Sequence, residues 1–410
     1  MSLLNEGYNQ KATFFKKGKG SVVYSKNKSY IDLSCGAGTM LLGHNSKIYK
    51  KSLKKYINTG LSNFAHPNTS ALELSKNLKK IYPQFEKFVL CSSGAEANIK
   101  ALRIARAATN KNVIINVSGS WHGSIDQLLY NANTKNKSYK LSDGIDETLS
   151  KNLKFIPFND IEKSKKILNK HLKKICCVLV EPIQGAFPTS ESINYLKFLD
   201  SYCRKNNIIL YFDEILSGIR INCSSVQNTF KIKSDISTFG KIIGGGMPIG
   251  IIGVSKKILL KIKKKRKKIF FGGTYSGNSL TAFVGNETLT FIIKNKKKIF
   301  SKIENDSKLI HNKINNFITE NKIDAKMIRF HSLIRIIFTN KKIKNRPQRD
   351  FFERKKLIQR EKFINYLKKN GIYFPGNGVV CLSYSITERQ VNYVIKKIKD
   401  GLNFFFNKNK

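Results

Sequence analysis

Short apolar runs alternate with amphipathic segments through the middle of the chain. The pattern predicts strands at 30–33, 88–90, 113–117, 175–180 and 208–212, and helices at 71–82, 95–108, 191–206 and 279–295. In the second of these helices Ile99, Leu102, Ile104 and Ala105 fall on one side. Strands that are apolar throughout and separated by helices are typical of a parallel sheet buried on both faces. The chain is therefore predicted to have an α/β fold.

The pattern changes towards the C-terminal end. Residues 300–410 predict a long helix, a strand at 334–338, helices near 350–369 and 387–404, and a strand near 379–382. This is the pattern of a smaller α+β domain. A chain of 410 residues, 41% of them hydrophobic, is also long enough for more than one core. We predict an N-terminal segment at 1–68, a large domain at 69–298 and a small domain at 299–410.

The composition of the chain indicates the cellular compartment in which it works. No run approaches the roughly 18 apolar residues that a membrane span needs, and residues 1–6 lack the charged and apolar blocks of a signal peptide. The seven cysteines are odd in number and show no C-x-x-C spacing. We therefore expect a reduced, cytoplasmic protein with no structural metal and no membrane partner.

The net charge is unusual, because 75 Lys and Arg residues stand against 27 Asp and Glu, a formal balance of +48. Such a balance raises the hypothesis of a nucleic-acid-binding protein. The lysines are spread over the whole chain and accompanied by many Asn and Ile, the residues that AT-rich codons supply. We interpret the excess as composition bias, and the dense stretch at 261–268 as a solvated helix end or loop. The chain lacks a helix-turn-helix, zinc or RNP-type signature, so nucleic acid remains the remote alternative.

Two residues stand where cofactor chemistry is expected. Asp213 follows the apolar run 208–212, and ligands of open α/β sheets lie outside the carboxyl ends of strands. A turn or helix-capping aspartate is the alternative for this position. Lys241 is framed by glycines and apolar residues, unlike a solvated surface lysine. A desolvated lysine loses its proton more easily and becomes a nucleophile towards carbonyl carbon.

Three further segments provide possible contacts. Ser93, Gly94 and Ala95 form a turn of small residues that opens a helix, which suits a phosphate. The same turn, with a glutamate three residues after Ser93, also fits a capping box. Trp121, next to His122, follows the strand at 113–117 and would stack on a flat ring or fill the core. Thr274 lies in a glycine-rich loop that by itself predicts only a loop.

Together these residues meet the needs of pyridoxal 5′-phosphate (PLP): a lysine, an acid for the pyridine nitrogen, a phosphate cup and a stacking ring. The order of segments SSGAEA, WHG, EPIQG, FDEILSGIR, STFGKIIGGGMPIG and GGTYSGN resembles the class III aminotransferases. Within that family the chain most resembles the glutamate-1-semialdehyde 2,1-aminomutase-like branch. The resemblance extends over nearly the whole chain, from residue 30 to about residue 400.

The resemblance implies the fold type I architecture of PLP-dependent transferases. This has a large domain with a mostly parallel seven-stranded sheet and a small α+β domain built from the chain termini. It implies a homodimer with shared active sites. Lys241 would attach the cofactor, Asp213 would pair with its ring nitrogen, and Trp121 with His122 would lie at the ring. The phosphate would be held by Ser93, Gly94 and Ala95, and by Thr274 from the partner subunit, while Glu181 would support the site.

Departures from the aminomutase branch affect the expected activity. No match to its N-terminal substrate segment is found at 7–19, and residues 374–378 replace its glutamate-containing turn. Ala95 stands where the family usually has Thr. We therefore predict an aminotransferase that moves an amino group between an amino acid or amine donor and a keto or aldehyde acceptor. The alternative is the aminomutase, which makes 5-aminolevulinate from a single substrate.

Overall fold

The computed structural model describes residues 13–406 of the chain. Its strands are β1 (Lys17–Lys19), β2 (Val22–Tyr24), β3 (Ser29–Asp32), β4 (Phe85–Cys91), β5 (Val113–Val117), β6 (Tyr130–Ala132), β7 (Ser138–Lys140), β8 (Leu153–Ile156), β9 (Ile175–Val180), β10 (Ile209–Asp213), β11 (Ile236–Gly240), β12 (Gly250–Ser255), β13 (Lys326–Phe330), β14 (Leu333–Ile337), β15 (Ile372–Tyr373) and β16 (Val380–Cys381). Its helices are α1 (Cys35–Gly38), α2 (Lys47–Ile57), α3 (Thr69–Ile81), α4 (Gly94–Thr109), α5 (Ile161–His171), α6 (Ile193–Lys205), α7 (Val226–Phe230), α8 (Lys256–Lys263), α9 (Ser279–Lys294), α10 (Lys296–Glu320), α11 (Arg346–Glu353), α12 (Leu357–Lys369) and α13 (Glu388–Phe406). The expectation about residues 1–6, and the part of 7–19 before residue 13, fall outside the described residues.

The chain divides into two compact units. The larger unit comprises Ile48–Phe300 and Lys341–Phe352. The smaller unit comprises the described residues up to Lys47, together with Ser301–Asn340 and the segment from Glu353 onward. The domain boundaries at 68 and 298 that we inferred from the sequence stay a prediction.

The larger unit is built on a seven-stranded sheet in the order β4-β12-β11-β10-β9-β5-β8. The pairs among β8, β5, β9, β10 and β11 are parallel, and β12 runs antiparallel to both β11 and β4. The mostly parallel seven-stranded sheet is thus confirmed. The parallel strands β5, β9, β10 and β11 end at the same edge, where open α/β sheets bind their ligands.

One strand of this sheet that the sequence pattern missed, β11, carries polar residues. Strand β11 is buried throughout although it contains Ser237 and Thr238. Ser237 accepts a hydrogen bond from Gln227 at 2.9 Å, and Thr238 donates to Asn98 at 2.7 Å. Because both hydroxyls are hydrogen-bonded, they can be buried inside a sheet without a large desolvation cost. Apolar runs alone therefore find β5 and β9 but not β11.

Helix α4 corrects one of the four residues predicted for its apolar side. Ile99 is 43% exposed, whereas Ala97, Ala101 and Ala105 are completely buried. The helix packs on β11 and β12 through these small side chains, and Ile99 lies on the other side. Backbones that approach closely need small residues at the contact, so alanines form part of the buried face and Ile99 does not, whereas Leu102 and Ile104 are buried as predicted.

The smaller unit contains two sheets, in the orders β1-β2-β3-β15 and β13-β14-β16. Strand β15 pairs in parallel with β3, so residues 372–373 complete a sheet that begins near the N-terminal end. Phe338 stacks on Phe406 with 4.4 Å between ring centroids, and Phe363 meets both rings edge-on. This unit has the α+β character that the sequence predicts.

None of the helices between residues 13 and 406 is long and apolar enough to cross a membrane.

Candidate active site

Asp213 ends β10 and is buried. Its Oδ2 accepts a hydrogen bond from Asn98 Nδ2 at 2.9 Å and lies 2.7 Å from His122 Nδ1. Its Oδ1 accepts from the backbone N–H of Ile215 at 3.1 Å. Asp213 therefore fits the turn interpretation and the ligand interpretation at once, because one oxygen shapes the turn and the other is held by side chains.

Asn98 organises the polar network around that carboxylate, and the sequence reasoning missed it. Its Oδ1 accepts hydrogen bonds from Thr238 at 2.7 Å and from the hydroxyl of Tyr211. Its Nδ2 donates to Asp213 and also to the His122 carbonyl at 2.8 Å. A polar residue on the buried, alanine-lined face of α4 was the signal that could have revealed this role.

His122 is completely enclosed by the same network. Its Nδ1 faces Asp213 and its Nε2 lies 3.1 Å from Asn116 Oδ1. Asn116 is buried within the apolar strand β5, where an amide needs a partner. The imidazole is thus fixed at both nitrogens, and it holds the carboxylate of Asp213 in one orientation.

Trp121 lies beside this network but is not part of the core. Its side chain is 51% exposed, which excludes the core-filling interpretation. Its backbone N–H donates to Glu181 Oε2 at 2.9 Å. Glu181 follows β9 directly and is itself buried. The indole is therefore positioned at the strand ends by a carboxylate from the neighbouring strand.

Glu181 has a strongly perturbed acidity. Burial raises its pKa to about 7, and the negative charge of Asp213 acts in the same direction. His122, the Trp121 N–H and Lys241 offset part of this rise. A carboxyl group that changes charge near neutral pH thus lies next to the polar network.

We expect Glu181 to make the stability of the cofactor-free protein depend on pH. A pKa raised in the folded state favours folding below the unfolded value of about 4.5, and this contribution disappears as pH rises through about 7. Above pH 7, burial of the charged group costs on the order of 3 kcal/mol. Glu181→Gln should therefore gain stability relative to wild type as pH rises from 5 to 8, measured by urea unfolding.

Glu191→Gln, at an exposed position, is the matched control. The free-energy difference between this variant and wild type should stay constant over the same pH range. If the free-energy difference between Glu181→Gln and wild type were also constant over this pH range, the raised pKa of Glu181 would be contradicted.

The turn before α4 combines capping with an open helix end. Ser93 is the N-cap, and its Oγ accepts from the Glu96 N–H at 3.1 Å. Glu96 Oε2 accepts from the Ser92 N–H at 2.7 Å, so the capping interpretation is confirmed. A Cβ on Gly250 would lie 1.9 Å from the Ser93 carbonyl oxygen, so only glycine lets β12 approach this turn. Gly94 and Ala95 follow as the first helical residues, with backbone N–H groups that suit an anion.

Lys241 directly follows β11 and begins a short 3-10 helix at Lys241–Gly244. It is half-buried and has φ 47°, in the left-handed region that costs a non-glycine residue of order 1 kcal/mol. Asp213 pairs in register with Thr238, three residues before Lys241. The lysine and the aspartate thus leave adjacent parallel strands at the same edge.

Thr274 is the predicted residue that the structure leaves apart from the others. Its side chain is exposed, in a loop at 271–278, and its carbonyl accepts a hydrogen bond from Asn63 at 3.3 Å. Phe64, which follows Asn63, is 50% exposed. The contact of Thr274 with a phosphate stays a prediction that involves a second subunit.

The residues that do meet fit PLP by their chemistry. A buried carboxylate suits a protonated ring nitrogen, a helix N-terminus with a serine suits a phosphate, and a lysine lies at the same edge of the sheet. Gly250, where a Cβ would collide with the Ser93 carbonyl, lets the turn before α4 pack against the sheet.

Sequence comparison agrees with this geometry. The family description "Aminotransferase class-III" matches residues 3–402. The chain belongs to the class III aminotransferases. Enzymes of this family depend on PLP, so the cofactor inferred from the residues is that of the family.

Individual class III members support the assignment. Glutamate-1-semialdehyde 2,1-aminomutase of Wigglesworthia glossinidia brevipalpis is 33% identical over 366 residues, 88% of this chain and 82% of that relative. An omega-transaminase from Sphaerobacter thermophilus matches with a TM-score of 0.87 at 20% identity, over 95% of this chain and 91% of its own. A glutamate-1-semialdehyde aminomutase from Pseudomonas aeruginosa PAO1 matches with a TM-score of 0.84 at 17% identity, over 96% and 88%. The two structures show the shared fold.

Proposed function

We propose that this class III enzyme transfers an amino group from an amino acid or amine donor to a keto or aldehyde acceptor. The observation that carries the proposal is the buried network of Asp213, His122 and Asn98 at the sheet edge where Lys241 leaves β11. A buried carboxylate held by two side chains is built to keep one charge in one place.

Each of the candidate site residues would contact or orient a different part of the cofactor. Asp213 would hold the proton on the cofactor's ring nitrogen, with His122 and Asn98 keeping the carboxylate oriented. Ser93, Gly94 and Ala95 would bind the phosphate, Thr274 would add a hydroxyl from the partner subunit, and Trp121, supported by Glu181, would cover the ring face.

When bound, PLP supplies an electron sink for the bond between the substrate's carbon and its hydrogen. Lys241 would attach the cofactor at rest and, once released by the incoming amine, act as the general base that moves the proton at its Nζ. Lys241 is half-buried at the edge of the sheet where β11 ends.

The aminomutase reaction is the second candidate, because several relatives named glutamate-1-semialdehyde 2,1-aminomutase match at about 30% identity. The turn at 374–378 argues against it. Arg335 Nη1 donates to the Asn377 carbonyl at 2.5 Å, and Arg360 Nη2 donates to the Gly376 carbonyl at 2.7 Å. Two arginines thus hold residues 374–378 in this chain. This segment has no glutamate, whereas the corresponding turn of the aminomutase branch contains one.

Spectroscopy with single substrates tests the proposal. Amino donors such as glutamate, alanine or a diamine, added one at a time without acceptor, should convert the lysine-bound absorption band to the pyridoxamine form. The donor that responds then identifies the substrate class. If only glutamate-1-semialdehyde or a diamino analogue shifts the band and no nitrogen leaves the substrate, the aminomutase candidate replaces the transferase.

We also propose a homodimer with shared active sites. Phe64, Phe270 and Tyr275 are at least half exposed. They lie on two loops joined by the Asn63–Thr274 hydrogen bond, and Ser279, the first residue of α9, donates to the Ser62 carbonyl at 2.6 Å. Large apolar side chains exposed on connected loops mark an association surface. Sedimentation should give twice the mass of one chain, and a monomer at micromolar concentration would refute the dimer.

We propose the reducing cytoplasm as its location. All seven cysteines are buried, and none forms a disulfide bond in the described structure, which includes every one of them. Fractionation of cells should recover the protein with the cytoplasmic markers, and recovery outside them would refute this.

A further inference from the structure

Lys100 is a buried lysine on α4 that the proposed chemistry does not use. Its side chain is 6% exposed, although lysines are almost never buried unless they are paired. All three ammonium donors have partners: the Glu96 carboxylate, the Phe271 carbonyl at 2.7 Å and Ser276 Oγ at 3.1 Å. Two of these partners belong to the loop at 271–278, so the lysine joins that loop to the helix.

Glu96 extends this junction to the turn Ser93–Ala95, which is proposed to bind the phosphate and is called the phosphate turn below. Ser276 donates to Glu96 Oε1 at 3.0 Å, which closes a triangle with Lys100. The other oxygen, Oε2, accepts from the Ser92 N–H, and the Glu96 N–H is capped by Ser93. One carboxylate is therefore bonded on one side to the turn before α4 and on the other side to the loop.

The packing at this junction is tight. A Cβ on Gly273 would lie 2.5 Å from Ser276 Oγ and 3.0 Å from Glu96 Oε1, so the loop backbone covers the ion pair directly. One turn further along α4, Arg103 Nη1 donates to the Phe270 carbonyl at 2.6 Å. This second contact should keep the residue before the loop attached to α4 when the Lys100 contacts are removed.

We infer that Lys100 is a positioning residue that locks the loop at 271–278 and the phosphate turn into one unit, and so sets the affinity for the phosphate group of the cofactor. The inference rests on the proposed function, in which Ser93 to Ala95 hold the phosphate of their own subunit's cofactor and Thr274 reaches the phosphate bound by the partner subunit. Lys100 acts through Glu96 and the loop, and has no contact with the cofactor itself.

The test compares PLP with pyridoxal, which has the same ring and aldehyde but no phosphate. Lys100→Met should weaken PLP binding about tenfold, because it removes charge-assisted hydrogen bonds that hold both phosphate-binding segments. Pyridoxal binding, followed by the same absorption band, should be unchanged. Ser276→Ala keeps the ion pair and should weaken PLP binding about threefold, which provides a second measurement if the first variant folds poorly.

Lys76→Met is the matched control, since Lys76 pairs with Glu73 on the surface of α3. Its PLP affinity should stay within about twofold of wild type. Equal losses for PLP and pyridoxal in Lys100→Met, or no loss for PLP, would overturn the inference while the proposed function stands. A wild-type protein that binds neither compound would instead refute the proposed function.

Discussion

Lys241→Ala should lower turnover by at least about 10³-fold, because it removes both the attachment point and the general base. PLP should still bind through Asp213 and the phosphate turn, but without the absorption band of the lysine-bound cofactor. Turnover with the responding donor and the visible spectrum measure these two effects separately.

The fold of this variant should be preserved. Alanine and lysine have the same Cβ, so the left-handed backbone at position 241 is equally strained in both. Lys257→Ala is a suitable control, because Lys257 lies at the start of α8 with its side chain 47% exposed, 3.6 Å from Asp235. Full activity in Lys241→Ala, with Lys257→Ala behaving like wild type, would remove Lys241 from the mechanism.

The parts of the fold that the sequence predicts are those in which composition and burial agree. Strand β9 is continuously apolar and β5 is apolar except for Asn116; both are completely buried, and their observed bounds match the predicted ones. Strand β12 was missed because its glycines weaken the strand pattern, and Gly250 is there for contact with Ser93. The antiparallel direction of β12 depends on which strands become neighbours, which local patterns do not contain.

The candidate site likewise contains residues that the sequence predicts and residues that it does not. Asp213 and Lys241 were predicted because each is a chemically distinctive residue at the end of an apolar or glycine-rich run. Asn98 and Asn116 were not, since an asparagine in a helix or strand has many ordinary explanations. Their importance arises from a three-dimensional arrangement in which four elements converge on one carboxylate. Roles that depend on such convergence need coordinates.

Asp213→Asn should reduce kcat/KM by about 10²- to 10⁴-fold while the protein stays folded. Asparagine has the same shape, and its oxygen can still accept from Asn98 or His122, so the network keeps its packing. The variant loses the negative charge, and a neutral amide cannot hold a proton on the ring nitrogen of the cofactor. The electron sink is then weakened in the step that breaks the carbon–hydrogen bond.

Rates with a donor deuterated at the reacting carbon sharpen this test. If Asp213 acts on the proton-transfer step, the isotope effect on kcat should increase in Asp213→Asn, because that step becomes rate-limiting. Asp235→Asn is the control. This carboxylate precedes β11, at the opposite end of that strand from Lys241, where it accepts a hydrogen bond from the Leu210 N–H at 3.1 Å and lies 3.6 Å from Lys257 Nζ. It should change stability by about 1 kcal/mol without changing the isotope effect. An Asp213→Asn enzyme with wild-type kcat/KM would show that the buried carboxylate is structural and that the cofactor's ring nitrogen finds its partner elsewhere.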